Sequence, residues 1–371
     1  MQTIYINGKF SAQPLTGVQR FASGMVSALD ELLHRGEGLA SAARWVLLCP
    51  TDSTPPVLRV IEVRSIGSLL PSLHFWEQLA LPLAARSGLL LSFAGSAPLL
   101  ARRQVATLHD AAVFDQPATY GWLFRSWYRF LFRALARSAK GLLTVSKFSQ
   151  QRLAATLGLN PEVIGVLGNG AEHFKNIAAD DSLLLQHGLQ PGTYFLAVGS
   201  LSPGKNLARL MAAFEQQFAG RDVRLVMVGG GNAQVFAGDA LPATTPAQVL
   251  RLAKVSDAQL KALYQHAIAL VFPSLYEGFG LPPVEAMHCG CPVAASDAAA
   301  MPEVCGEAAL YFDPTSVQAI AAAMRRLQDE PALRQQLRQR GHAQSARHRW
   351  SSSAQHLMHW LSARQLLGAA A

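Results

Sequence analysis

Residues 272–314 read FPSLYEGFGLPPVEAMHCGCPVAASDAAAMPEVCGEAALYFDP. The apolar run leading into them, IALVFPS (268–274), has the length and composition of a buried strand. It gives way to a glycine-containing loop. Pro282 and Pro283 then suit the first turn of a helix, where a missing N–H leaves nothing unpaired that was paired before. A helix is predicted over Pro282–Cys289, and PVAAS (292–296) supplies the next strand. Strand, loop, helix and strand form the repeat of a doubly wound parallel sheet. Glu277 falls in the loop, and Glu285, eight positions on, in the predicted first helical turn. Gly278 and Gly280 let the backbone come close to a ligand. Free N–H groups at a helix start favour a phosphate. Carboxylates repel phosphate but accept hydrogen bonds from hydroxyls. The spacing alone therefore fits two readings: two carboxylates gripping a polyhydroxylated diphosphate, or two surface acids near a helix start.

Working outward, the same alternation fills both halves of the chain. TIYING (3–8), WVLLC (45–49), LLLSF (89–93), VATLH (105–109) and GLLTVS (141–146) read as strands. Val18, Phe21, Met25, Leu29, Leu32 and Leu33 recur at helical spacing, so a helix opens just after Thr16-Gly17. The segment Ala178–Pro191 is polar at its start and carries Gly and Pro at its end, which places a domain boundary near residue 185. Beyond it YFLAVGS (194–200), a helix from Asn206 to Phe218, VRLVMVGGG (223–231) and a helix from Ser256 to His266 repeat the pattern. Asn232–Pro246 reads as a loop, and Pro331–Leu367 as helices with a turn near His348–Ser353.

A chain of 371 residues that is half hydrophobic and 15% charged can bury two cores and is not disordered. Cys49, Cys289, Cys291 and Cys305 lack metal-site spacing, and free thiols in a cytoplasmic setting are expected. MQTIYINGKF lacks a basic start and apolar core, so no secretory signal is expected. Leu79–Leu100 is the most membrane-like stretch, but its Arg, Pro and Gly residues favour a buried strand, SGLLLSFAG, between breakers. The net charge of +8 and pI near 9.6 suit anionic partners without choosing among them. Arg125, Arg129 and Arg133 share one face of a helix over Trp122–Lys140. That face is either a solvated basic stripe or a patch for anionic lipid or a lipid-diphosphate acceptor. No motif or module supports nucleic-acid binding.

Residues 272–314 resemble, almost throughout, the Glu-x7-Glu region of retaining GT-B glycosyltransferases, especially glycosyltransferase family 4: SLYEGFGLP, EAM-x-CG-x-PV, and PEV-x-G-x-AALYFDP. AVGSLSPGKN (197–206), TGVQRF (16–21), TLHDAAVF (107–114), LLTVSKFSQQRL (142–153) and RWSSSAQHLMHWL (349–361) resemble further family segments in the right order. The resemblance implies an α/β fold of two Rossmann-like domains facing a cleft. Residues 1–184 form the acceptor side and 185–348 the nucleotide-sugar side, and a helix in 349–371 returns to the first domain.

Carried over by position, the resemblance implies that Glu277 faces the donor-sugar hydroxyls and Glu285 the ribose. Lys205 neutralises the diphosphate, and the Gly17 backbone N–H reaches it from the other domain. The backbone at Phe279, Gly280 and Leu281 completes the cradle, and His109 sits against the donor sugar. His109, Lys205 and Glu277 are the catalytic candidates. Where many relatives carry arginines, this chain has Gly204 and Ser200, which leaves Lys205 thin support against a diphosphate unless Arg209 or a helix N-terminus helps. Ser146 matches a family serine of open role.

The chain has no Asp-x-Asp, so no metal is expected in the chemistry, and no cofactor beyond the donor. GGG at 229–231 lacks the dinucleotide fingerprint, and no P-loop is present. The expected activity is retaining transfer of a hexose, mannose from GDP-mannose first, to a saccharide or lipid-linked oligosaccharide in surface polysaccharide or lipopolysaccharide synthesis. Domain closure would exclude water, and the enzyme would be cytoplasmic, peripheral on the membrane through Arg125, Arg129 and Arg133. A non-catalytic nucleotide-sugar-binding scaffold is the alternative, with a nucleotide-sugar epimerase behind it.

Overall fold

The computed structural model describes residues 2–36, 43–67, 72–230 and 247–367. The loop expected at Asn232–Pro246 lies outside the described residues. The chain divides into two compact units. One comprises Met1–Ala111, Ser126–Asn169 and Arg349–Ala371, and the other Ala112–Arg125 and Gly170–His348.

The first unit is built on seven parallel strands: β1 (Gln2–Asn7), β2 (Ala43–Pro50), β3 (Glu62–Ile66), β4 (Leu89–Ser92), β5 (Gln104–Thr107), β6 (Gly141–Thr144) and β7 (Ile164–Val166). Their order is β3-β2-β1-β4-β5-β6-β7, so chain direction across the sheet reverses between β1 and β4. Parallel strands covered on both faces read as continuous apolar runs, which is why β2 and β4 stand out in the sequence. The edge strand β3 is half exposed and polar, and carries no such run. Ahead of β4 the chain is helical over Leu73–Phe75, Trp76–Ala80 and Leu81–Ala84, the middle piece a single π-type turn. Trp76 and Leu81 enter the core against Tyr5, Val46, Leu48 and Leu90.

Helix Gly17–His34 buries Phe21, Met25, Val26, Leu29 and Leu32, the period read from the sequence. It packs on helix Trp350–Ala363, and the Phe21 and Trp350 rings meet edge to face at 5.8 Å. Ser146 caps helix Lys147–Leu157 by accepting the Ser149 N–H at 3.0 Å, a structural task for a residue whose role the sequence left open.

The second unit holds β8 (Tyr194–Val198), β9 (Arg224–Val228), β10 (Val249–Leu252), β11 (Ala269–Phe272), β12 (Val293–Ser296) and β13 (Ala309–Phe312). All are parallel, ordered β10-β9-β8-β11-β12-β13. Phe214 and Phe218 of helix Leu207–Phe218 pack beneath Phe195, with Phe195–Phe218 centroids 5.3 Å apart. Helix Val317–Asp329, unforeseen in the sequence reading, adds Ile320, Met324 and Leu327 to that core. Besides Ala112–Arg125, the unit takes in the chain from Gly170 onward, whereas the sequence reading placed the boundary near 185. The reason is local: Lys261 donates to the carbonyls of Phe174 (3.0 Å) and Ile177 (2.7 Å), and Phe174 packs on Tyr264. The C-terminal turn is also shorter than expected, because helix Pro331–Ser345 is followed by one starting at Trp350.

No helix among the described residues is long and apolar enough to cross a membrane. Of the three arginines that share one face of helix Trp122–Ser138, Arg133 is exposed. Arg125 and Arg129 are half-buried, Arg125 donating to the Pro117 carbonyl at 3.0 Å, while Trp122, Leu123, Trp127 and Phe130 are exposed.

Candidate functional site

In the second sheet, β8 connects to β9 on one side, whereas β11 connects to β12 on the other. The loops leaving β8 and β11 therefore diverge over a crevice at the carboxyl ends of adjacent strands. Open α/β sheets bind ligands at such a switch point. The β8 loop ends in a turn of 3-10 helix, Pro203–Lys205, and the β11 loop carries Glu277. Lys205 Nζ donates to Glu277 Oε1 at 2.5 Å, so two residues singled out in separate motifs stand side by side. The ammonium also lies 5.3 Å from the centre of the Phe272 ring. These contacts fix a side chain that would otherwise sample many rotamers, and they leave further N–H donors and the second carboxylate oxygen available.

The two loops are tied together below the charges. Leu275 N–H donates to the Gly204 carbonyl at 2.9 Å. Asn206, at φ 58° in the left-handed region, donates its side-chain amide to the carbonyls of Pro273 (3.0 Å) and Pro314 (2.7 Å). One buried amide thus joins the loops after β8, β11 and β13. The sequence reading took Asn206 only as a helix start. Its signal was residue type, since Asn tolerates this conformation better than other polar side chains. Arg209, a candidate for a second cation at the phosphate, is committed to Asn206 Oδ1 at 2.5 Å and to the Pro314 carbonyl.

Beside Lys205, a cavity of about 260 Å³ opens at the carboxyl ends of β8, β9 and β10, lined by Gly199, Leu201, Gly229, Gly230, Arg251 and Ala253 among others. A β-carbon placed on Gly199 would lie 3.4 Å from Lys205 Cδ, so the lysine stem runs past the cavity wall.

Helix Leu281–His288 begins one residue earlier than predicted, with Gly280 as its cap at φ 89°. That shift takes Glu285 out of the first turn, a correction to the sequence reading. Glu285 is buried in the second turn. His173 Nε2 lies 3.0 Å from its Oε1, and the Tyr264 hydroxyl donates to Oε2 at 3.2 Å. Burial, reinforced by the Glu285 charge, holds the Tyr264 phenol well above its ordinary range, so it remains a donor. Neither His173 nor Tyr264 was anticipated. His173 follows Gly170–Ala171 in a short 3-10 turn with no periodic pattern to mark it. Its Nδ1 is buried without a hydrogen-bond partner among the described residues. Phe279 and Leu281 are buried, and Phe279 meets the His348 ring edge to face at 5.4 Å.

Gly17 and His109 belong to the first unit. Gly17 is exposed at the start of its helix. The preceding Thr16 hydroxyl bonds Gln19 instead of capping the helix, so the first N–H groups face outward. His109 Nε2 lies 2.8 Å from the Phe93 carbonyl, and its ring stands edge-on to Phe21 at 4.9 Å. Enclosure by apolar groups pushes its pKa down to about 4, against the pull of the Phe93 carbonyl. A carbonyl only accepts, so Nε2 carries the proton of the neutral ring and Nδ1 is an acceptor. The resemblance placed His109 against the donor sugar. The tautomer leaves Nδ1 able to accept a hydrogen bond.

This pKa carries a stability consequence. The unfolded histidine binds a proton near pH 6.5 and the folded one only near 4, so stability is fully present above about 6.5 and falls as pH drops through that window. The loss should be about 1–3 kcal/mol, since the ring is not fully enclosed. Thermal melts from pH 7 to pH 4.5 should show it, and His109→Gln should remove that component.

Residues 186–344 match the family model described as "Glycosyl transferases group 1", and residues 46–173 that described as "Glycosyltransferase Family 4". Over 67% of its length the chain is 31% identical to the O-antigen chain mannosyltransferase B of Escherichia coli, covering 68% of that protein. It is also 31% identical to the O-antigen chain mannosyltransferase RfbU of Salmonella typhimurium, over 63% of each chain. The solved sucrose-phosphate synthase of Thermosynechococcus elongatus superposes with a TM-score of 0.74, at 20% identity and with all of both chains covered.

Proposed function

Because the chain belongs to the group 1 and family 4 glycosyltransferases of GT-B fold, we propose that it moves mannose from GDP-mannose to a saccharide or lipid-linked oligosaccharide hydroxyl in surface polysaccharide synthesis, with retention. The observation that carries this reading is the Lys205–Glu277 pair at the switch point of the second sheet, beside a cavity sized for a nucleoside. Mannose is favoured by the names of the two curated relatives, and the acceptor class by their O-antigen chains.

In this reading the base and ribose occupy the cavity, and Lys205 holds the diphosphate. Glu277 accepts hydrogen bonds from the sugar hydroxyls, and Glu285, aimed by His173 and Tyr264, accepts from the ribose through its remaining lone pairs. The bond from the anomeric carbon to the diphosphate breaks, and the acceptor oxygen bonds that carbon on the same face. The acceptor proton passes to the departing diphosphate, so no protein nucleophile is needed. The protein's contribution is positioning and stabilisation of the charge that develops on the leaving group. Lys205 supplies the positive charge, so turnover should survive a chelator. An assay in which EDTA abolishes transfer and magnesium or manganese restores it would overturn that part.

Thermal-shift screening against GDP-mannose, other GDP-sugars and UDP-sugars tests the donor, since selective binding stabilises the native state. GDP-mannose should give the largest shift, and transfer from it should yield the α product by NMR. A larger shift and faster transfer with a UDP-sugar would sink the assignment. His173→Ala should raise the donor KM about tenfold with kcat within a few-fold, because it unpins Glu285 without touching Lys205.

A further inference from the structure

A second cavity, of about 180 Å³, lies at the amino ends of β8 and β11, the opposite end of the second sheet from the Lys205–Glu277 pair. Pro191, Gly192 and residues 265–268 line it from the sheet, and Gln328, Arg334 and Arg338 from the helices. The five residues of β8, roughly 15 Å of strand, separate this end from the other. The two arginines stand one turn apart on helix Pro331–Ser345. Each is anchored at one edge. Arg334 Nη1 donates to the carbonyls of Leu327 (2.6 Å) and Gln328 (2.9 Å) at the end of helix Val317–Asp329. Arg338 Nε donates to the Gly290 carbonyl at 3.2 Å. A guanidinium carries five N–H donors in a planar fork, so both keep donors beyond these bonds. Burial, and after it the charge of Arg338, pull Arg334 below its ordinary range, which places two cations at close quarters. No acid lines the cavity among the described residues, and the His266 ring on its wall has Nε2 3.5 Å from the Asp181 carboxylate. The side-chain oxygen of Gln328 is buried with no hydrogen-bond partner among the described residues. Buried polar atoms are almost always paired, and one left bare beside two cations marks a place for a ligand.

We propose that this cavity binds a small phosphate-class anion that also carries a hydroxyl, either inorganic phosphate or a hydroxylated phosphate monoester. Paired phosphate oxygens match the fork of a guanidinium. The bare Gln328 oxygen requires an O–H donor, which hydrogenphosphate supplies and sulfate at neutral pH lacks. The space is several times the ~30 Å³ that a water occupies in the liquid, enough for such an ion with a few waters. The site shares no lining residue with the cavity beside Lys205, so it is a second site and holds whichever donor is used.

The test is thermal melting of the full chain in chloride buffer at neutral pH and constant ionic strength, titrated with phosphate, glycerol 3-phosphate or sulfate. An anion that binds the native state raises the melting temperature in a saturable way. Phosphate or glycerol 3-phosphate should do so, and sulfate should need about tenfold higher concentration or more. The tighter of the first two tells whether the site takes the free ion or a monoester, and either supports the proposal. Arg338→Glu should abolish the response while melting like wild type in chloride, because Arg338 is exposed. Gln328→Leu should still bind but lose the preference over sulfate. Lys205→Ala should keep both response and preference, which separates this cavity from the proposed diphosphate site. A response that is absent or does not saturate, that survives Arg338→Glu, or that disappears in Lys205→Ala would overturn the proposal. Sulfate binding as tightly as phosphate to wild type would overturn it too.

Discussion

Lys205→Ala is expected to lower kcat by about 10²–10³-fold while leaving the melting temperature within a few degrees of wild type. The ammonium sits at the switch point of the second sheet, and in the proposed reaction it is the side chain that meets charge developing on the leaving diphosphate. The expected loss is of the size seen when one preorganised donor to a developing oxyanion is removed. The fold should tolerate the change, because Lys205 is partly exposed and its stem lies against a cavity wall. Lys205→Arg should recover only part of the rate, since a planar fork does not replace a point charge held beside Glu277. Lys205 and Glu277 are in contact, so Lys205→Ala/Glu277→Ala should cost less than the two single effects combined. Steady-state kinetics on the natural acceptor decides the matter. A Lys205→Ala enzyme of wild-type kcat would remove Lys205 from the mechanism.

Gly280→Val should be the most damaging single change in the Glu277–Glu285 segment. Gly280 caps helix Leu281–His288 at φ 89°, a conformation costly for any other residue and worst for a β-branched one. A β-carbon there would also fall 2.2 Å from Met301 Cε and 2.9 Å from its sulfur, and Met301 is fully buried. Backbone strain of about 1–2 kcal/mol and overpacking of about 1–3 kcal/mol together should lower the melting temperature by roughly 5–12 °C. Donor binding should weaken further, because the helix start that offers its N–H groups must move. Met301→Ala in the same chain separates the causes, since it relieves the clash and leaves the dihedral strain. Full recovery of stability in Gly280→Val/Met301→Ala would show that the left-handed backbone was not costly.

The strands β1, β2, β4, β5, β6, β8, β9, β11 and β12 were legible because each is an apolar run bounded by breakers. β3 and β10 were not, because they are sheet edges whose exposed residues dilute the pattern. The helical stretch at Leu73–Ala84 was hidden because it is split by a π-type turn, shows its apolar residues to the outside, and carries Pro82. In the site, residue chemistry and spacing marked Glu277 and Glu285 as one of two readings, and only the family resemblance singled out Lys205. Their pairing was not legible, because the reversal of strand order that brings the Lys205 and Glu277 loops together is a non-local property. Glu285 was misplaced by a single residue: the prolines marked the helix start, but Gly280 in its left-handed pose starts it at Leu281. His173 lies 112 positions from the carboxylate it holds, a pairing that only the folded sheet makes.

Asn206 ties the loops after β8, β11 and β13 to one amide, so these segments cannot loosen independently. Local opening of the loop after β8 must break both the bond that restrains the loop after β11 and the bond that restrains the loop after β13. The three therefore behave as one cooperative unit within a sheet that can remain closed around them. Ligand contacts made at any one of them are thereby shared as rigidity by the other two.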